Sequence, residues 1–153
     1  MQETIIAYFS PTGTSRKVAQ AIARGLKAAK VIETDVTHPY AAPAAQLRAD
    51  QVLVVAVPVY GGACAPIALQ RLNILYGNDT PAVAVVVYGN RDFGNAANEL
   101  FDFLTQRGFR VVGAAAFVAN ILIPPPTFPL QKAAHMLTTC KKPNASAWHC
   151  TTK

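Results

Sequence analysis

Acidic residues are scarce in this chain: eight Asp/Glu stand against fourteen Lys/Arg in 153 residues, for a net charge of +6. The imbalance is uneven, because residues 1–119 carry ten basic and eight acidic side chains while residues 120–153 carry four Lys and no acid. The pI near 9.5 therefore owes much to the tail. No basic stripe with interleaved aromatics crosses the body, so the charge does not describe a nucleic-acid face. Cysteine is scarce too. Cys64, Cys140 and Cys150 make neither a disulfide framework nor a C-x-x-C site, and the expectation is free thiols. His135, Cys140, His149 and Cys150 fit no zinc-ligand spacing. No apolar run reaches the ~18 residues of a spanning helix, and the first residues lack the regions of a signal peptide. The expected location is the cytoplasm, with no membrane contact, which makes the sequon Asn144-Ala145-Ser146 a chance match. Charged residues are only 14 % and apolar residues 52 % of the chain, so the body is a globular domain with a real core rather than a disordered segment.

Several chemistries lack their motifs. There is no G-x-x-x-x-G-K-[ST] for a nucleoside triphosphate and Mg²⁺, and no G-x-G-x-x-G for a dinucleotide. Cys64 and Arg71 are separated by six intervening residues rather than five and do not follow the first strand, which excludes the C-x₅-R loop of small phosphatases and arsenate reductases. Val57-Pro58-Val59 supplies no Asp at the end of the third strand, where a receiver domain needs one.

What is present alternates. Apolar runs at Glu3–Phe9, Val31–Val36, Gln51–Pro58, Ala82–Tyr88 and Phe109–Val118 read as strands. Ser15–Lys27, Pro66–Tyr76 and Gly94–Arg107 read as helices, and Ala44–Arg48 as a short helical turn. Val52–Val57 is apolar without alternation, as in a central parallel strand covered on both faces. The pattern predicts an α/β domain, a parallel sheet with helices on both faces. Ligands in such sheets sit beyond the carboxyl ends of the strands.

The loops at those ends are distinctive. Ser10-Pro11-Thr12-Gly13-Thr14-Ser15 lies between the first strand and an amphipathic helix. A strand, a tight turn and a helix start place free amides and the positive end of the helix dipole around one anion. Four hydroxyls and no Lys suit a phosphomonoester held by neutral donors. The competing reading of that loop alone is an ordinary capped helix start. Pro58-Val59-Tyr60-Gly61-Gly62 follows the third strand, and Tyr88-Gly89-Asn90-Arg91-Asp92-Phe93-Gly94 the fourth. Each sets an aromatic ring among glycines, an arrangement that can stack on a flat heteroaromatic ring and meet its edge with backbone groups. Taken singly, such an aromatic is more often a plug on the core.

On these three pieces, in this order, the chain resembles the flavodoxin family over about residues 1–119, and within it the flavodoxin-like half of the iron–sulfur flavoproteins called EFR1-type. The resemblance implies a three-layer sandwich with five parallel strands in the order 2-1-3-4-5. It also implies non-covalent FMN and electron transfer without covalent catalysis. Ser10, Thr12, Gly13, Thr14 and Ser15 would hold the phosphate. Tyr60 and Phe93 would flank the ring, with Pro58, Val59, Gly62 and Tyr88 completing the two loops. Gly61, Gly89 and Asn90 would line its polar edge, and the Gly61 carbonyl would be free to turn toward it. Arg91 and Asp92 are the only charges in the ring-side loops, and Arg91 would favour an anionic reduced flavin. A flavin-dependent reductase acting on a quinone, and a cofactor-free interaction domain, are the alternatives on the same fold.

Two features depart from that family. No C-x₂-C-x₂-C run is present, so electrons would pass to or from a separate ferredoxin-like or reductase partner. After Ala119 the sequence turns to Pro124-Pro125-Pro126 and a Lys-rich, acid-free tail, as a shifted reading frame or a replaced terminus would produce. The expectation is an altered C-terminal helix, with a short helix at Gln131–Cys140 or a second copy of the chain covering the sheet face.

Overall fold

The computed structural model describes residues 3–39, 43–89, 92–119, 138–141 and 149–152. In chain order its elements are β1 (Glu3–Tyr8), α1 (Thr14–Gly25), β2 (Lys30–Asp35), β3 (Ala45–Gln46), β4 (Gln51–Tyr60), β5 (Ala63–Cys64), α2 (Pro66–Leu72), β6 (Leu75–Tyr76), β7 (Thr80–Tyr88), α3 (Ala96–Gln106), β8 (Phe109–Val118), β9 (Thr138–Lys141) and β10 (His149–Thr152).

The apolar runs without alternation become parallel strands. The sheet order is β10-β9-β8-β7-β4-β1-β2, and its five body strands pair in parallel throughout. Counted among themselves they run 2-1-3-4-5, as the family resemblance implied. Both faces of the central strands are buried, because helices lie on each side. α1 packs Ala19 and Ala23 against Ile6, Val54, Ala56 and Val85 on one face. On the other, α2 brings Ala68 and Leu72, and α3 brings Leu100 and Leu104, against Ile5, Leu53, Val55 and Val86. Small residues on α1 let that helix sit close to the sheet.

Three sequence expectations are corrected. The short helical turn at Ala44–Arg48 is instead strand β3, paired in parallel with β6. Ala45 N donates to Ile74 O at 2.8 Å and Leu47 N to Tyr76 O at 2.7 Å, which buries Leu47 in the core. Tertiary pairing overrides the weak local preference. For the same reason the helix expected at Pro66–Tyr76 ends at Leu72: the chain beyond it must extend to meet β3, and Arg107 Nη1 binds the Asn73 carbonyl at 2.7 Å. The helix expected at Gln131–Cys140 is strand where it is described: β9 covers 138–141, joins β8 antiparallel through Ala114 and Cys140, and pairs with β10. Residues 131–137 lie outside the described ones. No helix among the described residues is long and apolar enough to cross a membrane.

Candidate functional site

Three connections leave the carboxyl edge of three adjacent strands, β1, β4 and β7. Tyr8 stands beside Ala56, and Pro58 beside Val87. At about 4.8 Å per neighbour, the outer two connections start about 10 Å apart. From β1 the chain crosses to β2 on one side, while β4 lies on the other. The three connections therefore flank the point where strand order reverses.

The first connection is a helix start stripped of its usual side-chain cap. Gly13 is the N-cap of α1 at φ 78° and offers no hydroxyl. Ser10 does part of that work from outside: its Oγ accepts the Arg16 amide at 3.1 Å, which leaves its own O–H free to donate. The Gly13 amide closes a turn onto Ser10 O at 3.1 Å. The amides of Thr12, Thr14 and Ser15 have no acceptor among the described residues. The Thr12 and Thr14 hydroxyls lie 3.4 Å apart. Ser15 is buried; Thr12 is exposed and Thr14 half-buried.

Charge is kept out of this cradle. Arg16, in the first turn, is drawn to Glu33, with Nη2 to Oε2 at 3.3 Å, and stacks over the Tyr8 ring at 5.8 Å. Glu33 also accepts from Gln20 Nε2 at 2.8 Å and from the Tyr8 hydroxyl at 3.0 Å. The Gln20 bond leads the causes that hold its carboxyl below the usual range. Burial pushes the Tyr8 hydroxyl up to about 12, and the bond to Glu33 adds to the shift. A loop of neutral donors is what remains for an anion.

The second connection is a two-residue hairpin. Val59 and Tyr60 pair antiparallel with Cys64 and Ala63, and the turn residues Gly61 and Gly62 both have positive φ, 63° and 84°. Only a Gly-Gly, Asn-Gly or similar pair takes that turn without strain. The hairpin lifts Tyr60 out of the core, 53 % exposed, while Val59 packs on it.

The third connection leans on the second. Asn95 N donates to Gly62 O at 2.8 Å, and Asp92 Oδ1 accepts the Gly94 amide at 3.1 Å. Phe93 is half-buried, its ring 5.4 Å from that of Tyr88 and tilted 60° to it, and it packs against the core. Underneath, Glu99 of α3 accepts the Cys64 amide at 2.7 Å, and the Cys64 thiol donates to Ala96 O at 3.1 Å. Burial, then the Glu99 charge, pushes that thiol up to about 12.

The structure thus brings Ser10, Thr12, Gly13, Thr14 and Ser15 into one cradle and joins Pro58–Gly62 to Asp92–Phe93 beside it. Gly89 follows Tyr88 at the end of β7. Asn90 and Arg91 lie outside the described residues. The parts played by Gly94, Cys64 and Glu99 are not visible in the sequence pattern. Asp92-Phe93-Gly94 carries a turn signal, but Glu99 reads only as an acid well placed near a helix start.

A three-layer α/β sheet with an anion-type helix start and two aromatic, glycine-bearing loops at its switch point defines a class of proteins built around a nucleotide-like cofactor. A family model described as flavodoxin matches residues 6–143, and the chain belongs to the flavodoxin family. Solved structures of similar fold include an NADH:FMN oxidoreductase in its apo form (18 % identity, TM-score 0.57, covering 77 % of this chain and 76 % of that one). Others are a Fusobacterium nucleatum flavodoxin bound to flavin mononucleotide (19 %, 0.54, 74 % and 70 %) and a Streptococcus pneumonia flavodoxin (18 %, 0.54, 77 % and 84 %). No curated protein sequence matches the chain. These likenesses reach the flavodoxin fold and do not single out the iron–sulfur branch.

Proposed function

We propose that the chain binds FMN non-covalently and serves as an electron carrier. The observation that carries this reading is the convergence of three connections: one presents three amides without acceptors, and the other two present Tyr60 and the Tyr88–Phe93 pair. The donors fit a phosphomonoester, since amides and hydroxyls are there and Arg16 is already engaged by Glu33. FMN, when bound, supplies the reversible electron uptake. The chain's own groups bind and orient. The α1 start would hold the phosphate of FMN, Tyr60 would cover a ring face, and the Gly61 carbonyl, on a turn with no atom within 4 Å of an added Cβ, would be free to reorient toward the ring edge. None of these residues is asked to act as acid, base or nucleophile. A ferredoxin-like or reductase partner would complete the electron path.

The test is to purify the chain, record its absorption spectrum and identify any released nucleotide by mass. Flavin bands with FMN in the released fraction support the reading; a colourless protein with no affinity for added FMN overturns it. Steady NADH or NADPH consumption by the isolated protein would move the assignment to a reductase. Light scattering in the same preparation checks for the homodimer expected at the C-terminal face.

A further inference from the structure

Arg71 lies in the last turn of α2, on the opposite sheet face from α1. Arg71 is half-buried, and its guanidinium is engaged by the chain. Nη1 donates to Val36 O at 3.2 Å and also to Thr37 O, and the group lies over the Phe9 ring at 5.6 Å. Val36 and Phe9 are buried. The two carbonyls end the run of β2, where the chain leaves the sheet and the ladder no longer serves them. Thr37 is held there from a second side, its amide donating to Asp35 Oδ1 at 2.8 Å. Its hydroxyl oxygen then accepts the Ser10 amide at 2.9 Å, and Ser10 caps the Arg16 amide in α1.

We infer that Arg71 is a positioning residue for the phosphate cradle, acting through Thr37 on Ser10. The inference rests on the FMN reading above but concerns a residue outside the three loops. The chain of contacts runs Arg71, Thr37, Ser10, Arg16 amide, and it ties the end of α2 to the start of α1 around the end of the sheet. Both bonds leave one nitrogen, Nη1, while the planar guanidinium lies over the Phe9 ring; a Lys ammonium could donate to the carbonyls but has no flat face to lay on the ring. Thr37 then has one orientation, and the Ser10 amide is turned inward to it. With that amide committed to Thr37, the loop keeps the Thr12, Thr14 and Ser15 amides without an acceptor among the described residues. The tether sets the cradle for the phosphate and leaves the ring loops alone.

The experiment compares FMN with riboflavin, which lacks the phosphate, on wild type, Arg71→Met, Thr37→Val and the double variant. In wild type FMN binds more tightly than riboflavin. Each single variant shrinks that preference roughly tenfold with riboflavin affinity unchanged, and the double variant shrinks it no further, because both cut one chain of contacts. Arg71→Lys, which keeps the charge but loses the planar contact with Phe9, falls between. Thr37→Val preserves side-chain shape and stands in if Arg71→Met does not fold. An unchanged FMN preference in the single variants, or losses that multiply in the double, overturns the inference. Hydrogen exchange at the Ser10 amide, read by NMR without flavin, separates the two claims. If wild type shows no preference for FMN over riboflavin, the FMN reading falls. Unchanged Ser10 exchange in Arg71→Met or Arg71→Lys overturns the tether by itself.

Discussion

A Cβ placed on Gly94 would stand 2.4 Å from the carbonyl oxygen of Gly62 and 2.8 Å from its Cα. The two connections that form the ring side of the site therefore touch backbone to backbone, and they do so at a residue with φ 52°. Gly94→Ala meets both obstacles at once: fixed backbone in its way and a left-handed conformation. We expect it to destabilise the fold by about 2 kcal/mol or more and to weaken riboflavin and FMN alike. Thr80→Val is the control. Thr80 is fully buried at the other end of β7, with its hydroxyl on Leu47 O and Arg48 O at 3.0 Å. It should cost about 1–3 kcal/mol of stability and leave flavin affinity, measured well below the melting temperature, unchanged. Denaturant unfolding and flavin titration on both variants separate the effects.

The family resemblance implies the same part for Tyr60 and Phe93, but the structure treats them differently. Tyr60 is half out in solvent on a hairpin, and Phe93 is wedged against Tyr88 and the core. Tyr60→Ala should leave the melting temperature within a degree or two, since exposed positions away from packed features change stability by only about 0.5 kcal/mol. It should weaken flavin binding roughly tenfold, in line with the ~1–3 kcal/mol of an aromatic–base stack. Phe93→Ala should do the reverse in part, losing about 2 kcal/mol or more of stability with its packing. Equal stability losses in the two variants would show that both rings are plugs.

The contrast shows where residue patterns carry information and where they stop. Unbroken apolar strands such as Val52–Val57 announce a parallel sheet covered on both sides, because burial on both faces leaves no room for polar alternation. Ser10–Ser15 announces its own turn, since the residue types that cap a helix and those that meet a phosphate are the same. Gly61–Gly62 marks a turn with two positive φ angles. The rest depends on partners distant in sequence. Ala45–Gln46 becomes a strand only because Leu75–Tyr76 lies beside it, and nothing local in Ala44–Arg48 says so. Arg71 reads as an ordinary helix-end cation; its role comes from Val36 and Thr37, more than thirty residues earlier. The same holds for Glu99 and the Cys64 amide.

Cys64 gives a chemical test of the clamp beneath the ring loops. Its thiol is buried, donates to Ala96 O, and is pushed up to about 12, first by burial and then by the Glu99 charge. Thiolate is the reactive form, so the native protein at pH 7.5 should leave Cys64 unmodified by iodoacetamide over hours, with full labelling in denaturant, as read by peptide mass spectrometry. Glu99→Gln should loosen the β5–α3 contact and bring Cys64 labelling into the native time window. Rapid labelling of Cys64 in the folded wild type would contradict the packing of β5 against α3.

The Tyr8–Glu33 pair predicts how stability changes at both ends of the pH scale. Glu33 is held below its ordinary value near 4.5, chiefly by Gln20 and also by Tyr8 and Arg16. The native state therefore binds its proton less readily than the unfolded chain. The contribution of Glu33 is complete above about pH 4.5 and fades as pH falls through the depressed value. Tyr8 works in the opposite sense: its hydroxyl is raised from 10 to about 12, so the native state keeps that proton longer than the unfolded chain does. Its contribution is complete below pH 10 and is lost as pH climbs from 10 through about 12. Tyr8→Phe removes the second effect outright and trims the first by one hydrogen bond. Melting temperatures of wild type and Tyr8→Phe, measured side by side from pH 3 to 12, should differ by a constant amount in favour of wild type between about pH 5 and 10. The gap should narrow above pH 10, as a buried tyrosinate beside the Glu33 carboxylate becomes a liability that phenylalanine does not share. A gap that stays level to pH 12 would mean the Tyr8 proton is not held by the fold, and Glu33 would then be held by Gln20 and Arg16 alone.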